Sequence, residues 1–178
     1  MSAVGAAGGD STATMIADLV ARHGFKPLPV EGTLFVETYR SPVEVAPGRS
    51  AGTVMLGLYC EEPRSESGFH RLSTDEIWHF HAGDPLRLIL LYPDGTSRDV
   101  ILGPDPLRGH EVQWVVPAGV WQAGHLIAGG RFAMYGCTLA PGFDPGIFEG
   151  GTVDGLLATH PDREADIRRY SCRETRMG

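Results

Sequence analysis

His70-Arg-Leu-Ser-Thr-Asp-Glu76-Ile-Trp-His-Phe-His-Ala-Gly83 carries more structural information than any other stretch of the chain. Glu76 stands six residues after His70, Gly83 stands seven after Glu76, and the residues from Glu76 onward run in steps of two. A period of two marks a β-strand with one buried face, which here carries Glu76, Trp78 and Phe80. The pattern predicts a small antiparallel barrel with an inward-facing histidine and glutamate.

The surrounding sequence extends this reading. Runs rich in Val, Leu, Tyr, Phe and Trp, broken by Gly and Pro, predict strands over 34–40, 53–60, 68–72, 75–81, 86–92, 98–102, 111–116, 122–127 and 132–139. Tyr92-Pro-Asp-Gly-Thr96 reads as a tight hairpin turn, since Pro presets one dihedral and Asp-Gly supplies the left-handed one; Gly129-Gly130 reads as another. Many short strands joined by hairpins, without intervening helices, point to an all-β barrel or jelly roll. Met15, Ile16, Leu19 and Val20 recur at helical spacing, with Ser11 or Thr12 as N-cap and Gly24 as the stop. Thr152 is placed to cap a short helix ending near Leu157, and a polar helix is expected over 161–170, both packing outside the barrel. Residues 1–12 read as a flexible tail and 13–178 as a single domain.

The chain has 178 residues, of which 42% are hydrophobic, enough for one ordinary globular core. Fifteen Lys and Arg against 22 Asp and Glu give a formal net charge of -7, which disfavours nucleic acid and anionic membranes as partners. No apolar run approaches the roughly 20 residues of a membrane span, and the N-terminus lacks a signal-peptide pattern. A cytoplasmic location is expected. Cys60 and Cys137 lie in apolar runs as small buried hydrophobes, whereas Cys172 lies in a polar stretch where exposure is expected. No phosphate loop, serine elbow or cysteine metal knuckle is present in the sequence.

The same residues resemble the cupin superfamily. Its first motif has two histidines spaced by one residue, then a glutamate, then a glycine; its second has Pro-x-Gly followed by a third histidine. His70, Glu76 and Gly83 match the first motif and Pro117-Ala-Gly119 the second. Leu72 stands in place of the second histidine and Gln122 in place of the third. Asp75 to Leu86, Val116 to Gln122, Gly136 to Phe143 with Phe148-Glu149, and Glu37-Thr-Tyr-Arg40 further resemble an uncharacterised, largely bacterial cupin family with a yeast member. Gly32-Thr-Leu-Phe35 departs from that family's Gly-Gly-Tyr-Phe-like opening. The resemblance implies a cupin jelly-roll barrel, a homodimer and a small-molecule ligand. It also implies a divalent-metal site, but two of the usual imidazoles are absent and an amide is a poor substitute.

Taken on their own, His70 and Glu76 in an apolar surround are suited to proton transfer near neutral pH, because burial raises a carboxylate pKa and a neighbouring acid raises that of histidine. The plainer alternative is a buried hydrogen bond that only satisfies two polar groups. At the family's third-histidine position Gln122 is expected to point inward and position a substrate, with Trp78, Phe80, Tyr39 and Arg40 as further substrate contacts. Strict alternation sends His79 and His81 outward, while a bulge before Gly83 would turn His81 inward. A metal set of His70, Glu76 and His81 follows from that second case. Tyr135 and Ser67 are possible rim or pocket contacts, and Asp84 is expected to satisfy backbone donors in a turn. The leading expectation is an epimerase, isomerase or dehydratase acting on a polar or carbohydrate-like metabolite through His70 and Glu76, with no cofactor required. A non-catalytic ligand-binding cupin and a metal-dependent dioxygenase or lyase are the alternatives.

Overall fold

The structure is a computed structural model and describes residues 7–177. Helix α1 (Ala7–His23) comes first, and Gly24, at φ 71°, ends it in the left-handed conformation with its N–H bonded to the Val20 carbonyl. The helix therefore begins before Ser11, which lies inside it and is not its cap. Positions 7–12 of the expected tail are helical, and positions 1–6 lie outside the described residues.

Thirteen strands follow among the described residues: β1 (Lys26–Pro27), β2 (Leu34–Arg40), β3 (Glu44–Ala46), β4 (Arg49–Ser50), β5 (Thr53–Cys60), β6 (Ser67–Leu72), β7 (Glu76–Gly83), β8 (Leu86–Leu91), β9 (Ser97–Leu102), β10 (Gln113–Val116), β11 (Trp121–Leu126), β12 (Phe132–Leu139) and β13 (Phe148–Gly150). All nine expected strands are present with ends shifted by two residues at most. The additional ones, β1, β3, β4 and β13, are only two or three residues long. A six-stranded sheet ordered β1-β2-β5-β12-β7-β10 faces a five-stranded sheet ordered β13-β6-β11-β8-β9, and every pairing is antiparallel. This is the expected jelly-roll architecture.

The core lies between the sheets. Leu86, Leu88, Leu90, Val100, Leu102 and Leu126 of the five-stranded sheet meet Tyr59, Trp78, Tyr135 and Cys137 of the other. Strand β8 reads Leu88-Ile-Leu-Leu91 without alternation because both its faces are covered. Its outer side packs Ile89 and Leu91, with Phe69 and Ala123, against Leu156, Ile167 and Tyr170 of α2 (Val153–Leu157) and α3 (Glu164–Tyr170). Thr152 caps α2 by accepting the Gly155 N–H. On the opposite flank α1 lays Ile16, Leu19 and Val20 over Leu34, Leu58 and Cys60 of the six-stranded sheet. All three cysteines are free and buried; Cys172 is not exposed as expected, because its thiol is tucked against the Phe69 carbonyl at 3.2 Å. Among the described residues no helix is long and apolar enough to cross a membrane.

Candidate functional site

The two sheets bring His70 and Glu76 to one cavity from opposite sides. His70 lies on β6, paired with Gln122 of β11. Glu76 opens β7, between Val116 of β10 and Leu139 of β12. His70, Glu76 and Gln122 are 4%, 6% and 1% exposed, so each polar group must find a partner within the protein.

For His70 that partner is Glu31, which sequence reasoning did not single out. Glu31 Oε2 lies 2.8 Å from His70 Nδ1, and the Gly68 carbonyl lies 2.9 Å from the same nitrogen. The ring of His70 stacks on Phe148 with centroids 5.4 Å apart. No described residue is hydrogen-bonded to its Nε2. Burial by itself disfavours the imidazolium, but the Glu31 carboxylate, the more distant charge of Glu76 and the Gly68 carbonyl outweigh it and carry the pKa up to about 9. His70 is therefore a cation at neutral pH.

Glu31 is held in place by an unusual turn. Val30 has φ 72°, a conformation costly for a β-branched residue, and Gly68 donates its N–H to the Glu31 carbonyl at 2.9 Å. No periodicity marks such a position; the only signal was its place directly before the Gly32 to Phe35 block.

Glu76 has a different environment. Its Oε2 accepts from Gln122 Nε2 at 2.7 Å and from the indole N–H of Trp78 at 3.2 Å, and Trp78 also donates to Gln122 Oε1 at 2.9 Å. Burial pushes its pKa above the ordinary glutamate value, opposed by His70 and by the hydrogen bonds from Gln122 and Cys137. Gln122 thus orients Glu76 and stands behind it, outside the cavity lining.

The cavity has a volume of about 60 Å³, room for roughly four waters. Besides Glu31, His70 and Glu76 it is lined by Trp78, Tyr135 and Cys137 at depth and by apolar groups such as Leu72, Leu139, Phe143, Phe148 and Met177. Tyr135 stacks on Trp78 with centroids 4.6 Å apart, and its hydroxyl is bonded to Thr33 at 2.9 Å.

Several expected contacts lie elsewhere. Phe80 packs against the barrel core and does not line the cavity. Tyr39 is 53% exposed, beyond a register irregularity that separates it from Glu37. Arg40 stays at the rim, where its guanidinium holds Glu37 at 2.7 Å and the Phe143 carbonyl at 3.1 Å, both of them cavity-lining residues. A bulge does occur in β7, between Phe80 and Ala82, but His81 remains on the outer face, as strict alternation predicts. There it lies over Gly136, its ring parallel to that of His79 at 6.4 Å, while His79 contacts Thr138 and Gln113. His81 is thus on the wrong side of the sheet to join His70 and Glu76. Asp84 takes the Arg131 N–H at 2.7 Å as a turn residue should, and Ser67 is spent on the Tyr59 hydroxyl at 2.6 Å.

Positions 17–150 match the family model Cupin_5, described as Cupin superfamily (DUF985). The chain belongs to this cupin family. An uncharacterized protein of Saccharomyces cerevisiae is 33% identical to this cupin over 129 residues, 64% of each chain. The chain thus spans just under two thirds of the length of that curated relative. Among solved structures, a Shewanella oneidensis protein superposes with a TM-score of 0.80 at 30% identity, covering 86% of this cupin and 95% of its own chain. A hypothetical protein from Leishmania major gives 0.78 at 32% identity, covering 87% and 97%.

The donors at the superfamily's metal position do not suit a tightly held divalent ion. Leu72 offers no lone pair, and the Gln122 amide is bonded on both sides to Glu76 and Trp78. Nε2 of His70 and the Glu76 carboxylate remain, two donors where the superfamily site has four. Among the described residues no group of three or more His, Cys, Asp or Glu side chains is arranged to hold a metal. What remains is a cationic acid facing a carboxylate across an apolar cavity.

Proposed function

We propose that this cupin is a small-molecule enzyme that moves a proton on a carbon beside a carbonyl group, a reaction of isomerase, epimerase or dehydratase type. The observation that carries the proposal is His70, protonated and anchored by Glu31, opposite Glu76 in one buried cavity. Glu76 takes a proton from the carbon next to the carbonyl, and the C–H electron pair becomes a C=C bond. The carbonyl oxygen takes the Nε2 proton of His70, giving an enol and a neutral imidazole. Returning both protons at a new carbon or from the other face yields an isomer or epimer. Where a hydroxyl sits one carbon further on, His70 protonates it instead and water leaves. No electrons enter or leave the substrate in any of these steps.

Glu31 serves as a positioning residue, fixing the ring and keeping the Nε2 proton in place; Gln122 and Trp78 do the same for Glu76. A general acid or base so placed contributes typically 10²- to 10⁴-fold. The test is solvent exchange: ketones, hydroxyketones and aldoses are incubated with the protein in D₂O, and α-C–H loss is followed by NMR. Exchange that is accelerated by the protein and lost by at least a hundredfold in H70Q and E76Q is the expected result. Ligands that bind and return without deuterium would replace this reading with a non-catalytic binding cupin.

A cytoplasmic homodimer is part of the same proposal. Three unpaired thiols suit a reducing compartment. Strand β10 is the edge of the six-stranded sheet, and Val112 and Val115 are about half exposed there, a surface that a second copy would cover.

A further inference from the structure

We infer that the substrate is a small, mainly apolar carbonyl compound and not a sugar. The inference rests on the acid–base reading above and narrows it by the chemistry of the cavity wall. A sugar of the same size brings a hydroxyl on nearly every carbon, and each needs a partner once water is excluded.

The wall offers few. Nδ1 of His70 is taken by Glu31 and Gly68, and Oε2 of Glu76 already accepts from Gln122 and Trp78. The Tyr135 hydroxyl is bonded to Thr33, and the Thr53 hydroxyl accepts the Phe143 N–H at 2.9 Å. At the rim, Glu37 is held by both Nε and Nη2 of Arg40. Among the described residues that line the cavity, Nε2 of His70 has no hydrogen-bond partner, and one carboxylate oxygen each of Glu76 and Glu31 is likewise open. His70 therefore serves one oxygen, the carbonyl oxygen that the acid–base step requires, Glu76 keeps its open oxygen as the base, and Glu31 is left to accept from a single hydroxyl.

The rest of the lining favours hydrocarbon. Val54, Met55, Leu72, Leu139, Phe143 and Phe148 gain by covering apolar surface. A buried hydroxyl without a partner weakens binding about fivefold or more, so two of them separate a ketone from its polyol analogue by roughly twenty-five-fold. The volume of about 60 Å³ corresponds to on the order of four to six non-hydrogen atoms at the reacting end, with any longer apolar part leaving through the rim at Phe143 and Met177.

Cyclopentanone and erythrose serve as matched probes. Their binding is followed through the indole N–H resonance of Trp78, assigned with W114F and W121F. Cyclopentanone shifting that resonance with a dissociation constant at least tenfold below that of erythrose is the expected outcome. Erythrose binding as tightly or more tightly overturns the inference, and so does a resonance that neither probe moves. Tight ketone binding without α-deuteration would sink the proton-transfer reading and leave the substrate class standing. Deuteration of erythrose would do the reverse.

Discussion

His70 folds with its proton because the Glu31 carboxylate sits 2.8 Å from Nδ1 in a buried site. The folded pKa of about 9 lies above the ordinary histidine value of 6.5. A raised value means that the protonated form is favoured by folding, so the stabilising contribution is complete below pH 6.5 and is lost as pH rises through about 9. Glu76, also raised, acts with the same sign as pH rises above its ordinary value of 4.5, whereas the loss above neutral pH belongs to His70. Unfolding free energy from urea titrations should therefore fall between pH 7 and 9.5 by on the order of 2–3 kcal/mol. H70Q should remove most of that slope, and E31Q should shift the loss to lower pH; a wild-type stability that is flat over this window would count against the Glu31–His70 pair. Periodicity places Glu76 on the inward face and the family register places His70 and Gln122 there, and all three side chains are buried between the sheets. Glu31 was missed because it lies in an irregular turn, where neither a period of two nor one of 3.6 applies.

Strands β5, β12 and β7 show how elements prepare the site. Tyr135 on β12 reaches the cavity beside Trp78, and it does so across Gly57 of β5. A Cβ on Gly57 would run into the ring and hydroxyl of Tyr135, which is fully buried and hydrogen-bonded to Thr33, so neither side has room to yield. G57A should destabilise the fold by about 1–3 kcal/mol, read as a fall in melting temperature of roughly 5 °C; an unchanged melting temperature would show that the Tyr135 seat is looser than the contacts imply. The long strands were legible because hydrophobic residues alternate along them or, in β8, run on between two covered faces. The two- and three-residue strands were not, since so few positions carry no period. Alternation along β7 made the outward facing of His79 and His81 legible, and the bulge that would have reversed His81 is present. It adds a residue without turning His81 inward, because Gly136 on the neighbouring strand leaves space on the outer face for that ring.

At the scale of the whole molecule, the jelly roll sets a cationic acid on one sheet against a carboxylate on the other, sealed by core residues below and a mostly apolar rim above. The family match covers positions 17–150 and so includes Glu31, His70, Glu76 and Gln122. The fold was readable from the spacing of His70, Glu76 and Gly83 and from the cadence of strands and turns. The charge state of the site was not, because it depends on a residue brought in from outside that motif by the tertiary structure. The direct observation is the ¹⁵N chemical shift of both ring nitrogens of His70 from pH 5 to 10, with E31Q alongside. Two protonated nitrogens up to about pH 9 in the wild type, falling toward or below 6.5 in E31Q, is the expected result. A wild-type ring carrying a single proton at pH 7 would contradict the cationic acid on which the proposed chemistry depends.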